Sequence, residues 1–107
     1  MPQSEDIVTK KIHSSIKQKL DESGHALLIV DRNCPICKDV AKKFINDSRI
    51  VICPLEDPSC FEIAKSARIQ GVPRLIFRDR DSKGMKICKL SEDGLICAPS
   101  ERELRRD

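Results

Sequence analysis

The chain has no tryptophan and no tyrosine, and three phenylalanines are its only aromatic residues. That leaves no stacking platform for single-stranded nucleic acid or sugars, and it makes Ile, Leu and Val the main core formers. Long apolar runs are also missing. The longest, Ala26 to Val30, falls far short of the roughly 20 residues that a membrane helix needs. Neither charge sign dominates: 20 Lys and Arg stand against 17 Asp and Glu, interspersed as on a solvated surface. Even the terminal Arg102, Arg105 and Arg106 alternate with Glu101, Glu103 and Asp107, so neither a nucleic-acid nor a membrane partner is expected. No charged-then-apolar stretch resembling a secretory signal opens the sequence, and the expectation is a cytosolic protein. Internal repeats and low-complexity segments are absent.

What the sequence does have is cysteine, six in all, at positions 34, 37, 53, 60, 88 and 97. In a secreted chain an even count suggests a disulfide framework. In a reducing cytosol it points to catalysis, redox sensing, metal binding or inert buried thiols. A length of 107 residues fits one domain and is too short for two well-cored ones. The expected organisation is an N-terminal helix over 1–24, a core over 25–98 and a tail or short helix over 99–107.

Apolar residues Val8, Ile12, Ile16 and Leu20 recur every fourth position, the spacing of one helical stripe between Ser4 and about Ser23, with Gly24 as its stop. Ala26 to Val30 is continuously apolar, as in a central strand covered on both faces. Asn33-Cys34-Pro35-Ile36-Cys37 leads into a second helix through Val40, Ala41, Phe44 and Ile45, and Arg49 to Cys53 reads as a second strand. After Pro54, Asp57 and Pro58, Ser59 is expected to cap a third helix with Phe61, Ile63, Ala64 and Ala67 on its apolar face. Arg74 to Phe77 begins a third strand. Asp79 to Gly84 has hairpin chemistry, Met85 to Leu90 is the fourth strand, and Ser100 with Glu103 forms a capping box for a terminal helix. A helical crossover makes the first two strands parallel, and a short turn makes the last two antiparallel. The fold class is therefore α/β: a four-stranded mixed sheet, βαβ then αββ, flanked by helices, with an extra helix at the N-terminus.

Cys34 and Cys37 form a C-x-x-C at the end of a buried strand, where a helix opens inside a βαβ unit. Only a thiolate attacks a disulfide, and unpaired N–H groups at a helix mouth favour that anion. Cys34 falls at the N-cap edge, and Pro35 suits the first helical position, where its missing N–H would be unpaired anyway. Cys37, one turn further in, is placed to attack a mixed disulfide on Cys34 and release the substrate. Arg32 and Lys38 flank the pair, as supporting charges or as ordinary surface residues. The alternative chemistry is a metal site, zinc or iron–sulfur, in which Cys53 or Cys60 joins Cys34 and Cys37. No second C-x-x-C supports it, and neither a metal nor a cofactor is expected.

Cys34-Pro35-Ile36-Cys37 together with Val72-Pro73 resembles the thioredoxin superfamily, most closely a small glutaredoxin-like redoxin of the C-P-x-C form. The likeness spans about Ala26 to Leu90. It implies a thioredoxin-like fold and an enzyme that reduces protein or small-molecule disulfides through Cys34 and Cys37, recycled by a reductase or a low-molecular-weight thiol. It also implies that Pro73 is cis, beside the redox pair, and that Val72 binds substrate through its main chain as an added strand. The Gly-Gly pair and acidic residue with which glutaredoxins grip glutathione are missing from Leu90-Ser91-Glu92-Asp93-Gly94, so glutathione is expected to be a poor specific ligand.

The other candidates carry less. Cys53 and Cys60 are read as two partly buried thiols, with a second disulfide or an electron relay as alternatives. Cys88 and Cys97 either pair or simply pack. His13 is expected on a helix surface and His25 in a turn, neither as a catalytic base. Arg74 reads as a surface charge at a strand start, with attraction of an anionic partner as the further alternative.

Overall fold

The computed structural model describes residues 3–78, 84–91 and 94–104. Its first helix, α1, runs Gln3–Ser23 and buries Ile16 and Leu20, one turn apart, with Ile12 partly buried on the same stripe. Gly24 ends it with φ +94°, a left-handed conformation that costs an L side chain energy, and its N–H bonds the Leu20 carbonyl at 2.7 Å. The chain continues as β1 (Ala26–Val30), α2 (Pro35–Phe44), β2 (Ile50–Pro54), α3 (Pro58–Ser66), β3 (Arg74–Arg78), β4 (Met85–Ser91), β5 (Gly94–Ala98) and α4 (Glu101–Leu104).

The strands form one mixed sheet in the order β2-β1-β3-β4-β5. β1 and β2 are parallel, as a helical crossover requires, with Ala26 opposite Ile50. The other neighbours are antiparallel: Ile29 pairs with Arg74, Ile76 with Ile87 and Cys88 with Cys97. Because side chains alternate along a strand, the sheet supplies two cores. Ala26, Leu28, Val30, Leu75 and Phe77 meet α1 and α2 on one face, while Ile29, Ile76 and Ile87 meet α3 and α4 on the other.

Four expectations are corrected. The sheet has five strands rather than four: Gly94–Ala98 pairs with β4, although Leu95-Ile96-Cys97-Ala98 does not alternate cleanly enough to announce a strand. Helix α3 is capped by Asp57, not Ser59: its carboxylate accepts from the Ser59 N–H at 2.9 Å, and Pro58 takes the first helical position. The same helix buries Cys60 and Ala64, while Phe61 and Ile63 are exposed, because Cys60 is the residue held against β2. Finally, His13 is partly buried and packs edge-on against Phe44, with ring centroids 5.7 Å apart. The turn expected at Asp79 to Gly84 lies outside the described residues up to position 83, as do residues 105–107 of the tail. No helix among the described residues is long and apolar enough to cross a membrane.

The Nε2 of His13 is buried without a hydrogen-bond partner among the described residues. Burial, and after it the nearby Lys43 charge, lowers its pKa from 6.5, against a smaller opposing pull from Asp39. Between the folded and unfolded pKa values the unfolded chain binds more protons, so this group's contribution is full above pH 6.5 and declines as pH falls through that window. Urea unfolding at pH 7.5 and pH 5 is expected to show lower stability at pH 5. The gap should narrow in His13→Leu, whose side chain cannot titrate.

Candidate active site

Main-chain geometry brings the dithiol together. Where β1 ends, the chain turns through Asp31, Arg32 and Asn33, and the Cys34 N–H closes the turn on the Asp31 carbonyl at 3.1 Å. Cys34 is the N-cap of α2, with extended backbone (φ −106°, ψ 109°), and Pro35 follows in the first turn. The Cys34 carbonyl accepts from the Lys38 N–H at 3.2 Å, beginning the helix ladder. Its sulfur takes the capping role usually held by oxygen, accepting from the Cys37 N–H at 3.2 Å. An orphan donor at the helix mouth is thus aimed at this sulfur.

The two thiols are unequal. Both are free, but Cys34 is partly exposed while Cys37 is 1% exposed among the residues of the α1–α2 core. Burial, and after it the hydrogen bond with the Cys34 side chain, pushes the Cys37 thiol up to about 12, against a bond from the Asp31 main chain that lowers it. At neutral pH Cys37 is therefore a protonated, enclosed thiol. Of the flanking charges, Arg32 is exposed and pairs with Glu56 at 3.9 Å, and Lys38 is an exposed helix residue.

The antiparallel pairing of β3 with β1 carries the start of β3 to the edge where β1 ends. One residue before Arg74, which sits opposite Ile29, the Val72–Pro73 peptide is cis, the isomer that the resemblance implied. Pro73 is buried, and Val72 packs against both cores, sharing the α1–α2 core with Cys34 and the α3–α4 core with Leu55 and Ile69. Among the described residues no main-chain hydrogen bond engages Val72. A groove of about 390 Å³ runs beside it, walled by Leu55, Phe61 and Ile69. A larger cavity, about 540 Å³, opens at the other end of β1 by His25, Ala26 and Met85 and touches none of the candidate residues.

No family model, curated protein or solved structure matches this chain.

The remaining cysteines are bonded. Cys53 and Cys60 are joined, S–S 2.14 Å, tying the end of β2 to the first turn of α3, and this overturns their reading as separate thiols. The cause is tertiary: the Pro-containing loop folds back until their Cα atoms lie 5.3 Å apart. Cys88 and Cys97 are bonded across the β4–β5 pair. The Cys53–Cys60 bridge belongs to the α3–α4 core and the free dithiol packs in the α1–α2 core on the other face of the sheet. The metal alternative loses its third ligand to the same bridge. Among the described residues no group of three or more His, Cys, Asp or Glu is gathered as a ligand set.

Arg74 is also corrected. It is no surface charge: its guanidinium holds the carboxylate of Glu101, which is 2% exposed, with Nε to Oε1 at 2.9 Å and Nη2 to Oε2 at 3.3 Å. Sequence reasoning missed Glu101 altogether. It stands in a charged, alternating tail, and its partner is 27 residues away. The one local signal, Ser100 accepting from the Glu103 N–H at 3.3 Å, locates the helix and says nothing about which carboxylate turns inward.

Proposed function

We propose that the chain is a thiol–disulfide oxidoreductase related to the thioredoxin superfamily, working through Cys34 and Cys37. The observation that carries this reading is the inequality of the two thiols. Cys34 is accessible at the helix mouth with an N–H aimed at its sulfur, and Cys37 sits one turn inside, enclosed and protonated. The Cys34 thiolate attacks one sulfur of a substrate disulfide. A new S–S bond forms between Cys34 and the substrate, and the other substrate sulfur departs as a thiolate that takes a proton from solvent. Cys37 then loses its proton and attacks the Cys34 sulfur, which closes the Cys34–Cys37 disulfide and expels the second substrate thiolate. Two electrons pass from the protein dithiol to the substrate. A reductase or a low-molecular-weight thiol returns them, and the oxidised substrate is a protein or small-molecule disulfide. Val72, with no main-chain partner among the described residues, offers its N–H and C=O to an extended segment bearing that disulfide, in the manner of an added strand.

The cytosolic location expected from the sequence is part of this proposal. Of the four bonded cysteines, Cys53, Cys60 and Cys88 are buried, and a reducing thiolate must reach a sulfur to attack it.

The direct test is reduction of a disulfide-bonded peptide with dithiothreitol as electron donor. The chain is expected to accelerate it well beyond dithiothreitol alone, and a rate equal to that background overturns the assignment. A companion measurement concerns the order of reaction. At pH 7 iodoacetamide is expected to modify Cys34 and spare Cys37, because Cys37 is enclosed and its thiol lies at about 12. Mass-spectrometric mapping of early label decides this, and label on Cys37 first reverses the roles.

A further inference from the structure

The segment 70–73, which leads to the dithiol's edge of the sheet, has little of its own to hold it. Ile69 is fixed behind it by its N–H to the Ala64 carbonyl at 2.9 Å, and Leu75 is fixed ahead of it in β3. Between these anchors, the hydrogen bonds made by the main chain of residues 70–73 run, among the described residues, to one ion pair. The Gln70 N–H reaches Glu101 Oε1 at 3.5 Å, and the Pro73 carbonyl accepts from Arg74 Nη1 at 3.3 Å. The guanidinium also lies against Gly71, where an added Cβ would meet Nη2 at 2.8 Å. The pair is itself forked and enclosed, the Arg74 side chain being 14% exposed and that of Glu101 2%. Such a pair is rigid in a way that single surface contacts are not. Glu101 stands on α4, whose Leu104 is packed in the α3–α4 core, so the carboxylate is anchored independently of the segment it grips.

We propose, resting on the oxidoreductase function above, that Arg74 and Glu101 are positioning residues for it. Their ion pair clamps residues 70–73 to α4 and so fixes the Val72 main chain in the register that receives a disulfide-bearing strand. Neither residue touches the reacting sulfurs. Their part is to keep the docking edge ordered before substrate arrives, which lowers the ordering cost of binding.

The test compares steady-state reduction of a disulfide-bonded peptide by the wild type, by the double variant Arg74→Met/Glu101→Leu, and by Glu101→Gln. Removing both charges leaves none buried and unpaired, and such replacements are commonly neutral or stabilising, so the double variant is expected to melt close to the wild type. Its KM should rise about tenfold, the scale of a lost docking hydrogen bond, with kcat changed less than about twofold. Cys34 alkylation by iodoacetamide, which needs no docked strand, should keep its rate. Glu101→Gln retains one acceptor oxygen for Gln70 and should fall between the two in KM. An unchanged KM in the folded double variant overturns the clamp, and so does a loss of alkylation rate in step with exchange. If the double variant does not fold, an unchanged KM in Glu101→Gln overturns it equally. A wild type that does not reduce the peptide removes the oxidoreductase function itself, and the clamp with it.

Discussion

Cys34→Ser is expected to lose disulfide reduction entirely, a fall of at least roughly a thousandfold to the background of the reductant alone, while Cys37→Ser accumulates mixed disulfides with its substrate. The asymmetry follows from the site. Attack requires an accessible sulfur, and Cys34 alone of the pair has one, with the Cys37 N–H directed at it at 3.2 Å. A serine hydroxyl at position 34 keeps the cap but cannot form the S–S bond. Release requires a second sulfur one helical turn away, which Cys37 supplies from inside the core. Without it the first covalent intermediate has no intramolecular exit and waits for an external thiol. Non-reducing mass spectrometry after incubation with a disulfide peptide should show the adduct in Cys37→Ser and none in Cys34→Ser. Equal dithiol-dependent turnover in both variants would sink the two-cysteine mechanism.

Loss of the two bonded pairs should be the largest effect on stability. Cys53 and Cys60 are 7 positions apart and Cys88 and Cys97 are 9 apart. Closing loops of that size restricts the unfolded chain by about 2.5 kcal/mol each. Replacing all four by alanine is then expected to remove about 5 kcal/mol, comparable with half the stability of an ordinary domain of this length. In Cys88→Ala/Cys97→Ala alone, the melting temperature should fall by about 10–20 °C. Urea titration of the single-bridge and double-bridge variants measures this. Alkylation of the unfolded, non-reduced chain should label Cys34 and Cys37 only. Variants as stable as the wild type would show that neither bridge constrains the unfolded state.

Local physics made much of this protein legible before any coordinates. The stripe through Ile12, Ile16 and Leu20, the Gly24 stop and the apolar run from Ala26 to Val30 appear where spacing and propensity put them, because each depends on residues within a turn or two. The same holds for the dithiol. Cys34, Pro35 and Cys37 are neighbours in sequence, and the helix that Pro35 starts is enough to make one sulfur its cap and to draw the other inward. Short-range rules were less sure at α3, where Asp57 and Ser59 both suit an N-cap and only the placing of Pro58 separates them.

Four features were decided by tertiary structure, and each involves partners that no local pattern links. The fifth strand exists because Gly94–Ala98 has β4 to pair with. Cys53 and Cys60 bond because the loop after β2 folds α3 back beneath it, which places their bridge in the α3–α4 core while the dithiol packs in the other. His13 is partly enclosed because α1 lies where its ring meets Phe44 of α2. Glu101 is buried because Arg74, 27 residues earlier, reaches α4 only when β3 stands between β1 and β4. A sequence fixes which charges and thiols it carries and the helices or strands that bear them. Which of them meet is set by how the sheet is ordered, since strand pairing joins residues by register and not by distance along the chain.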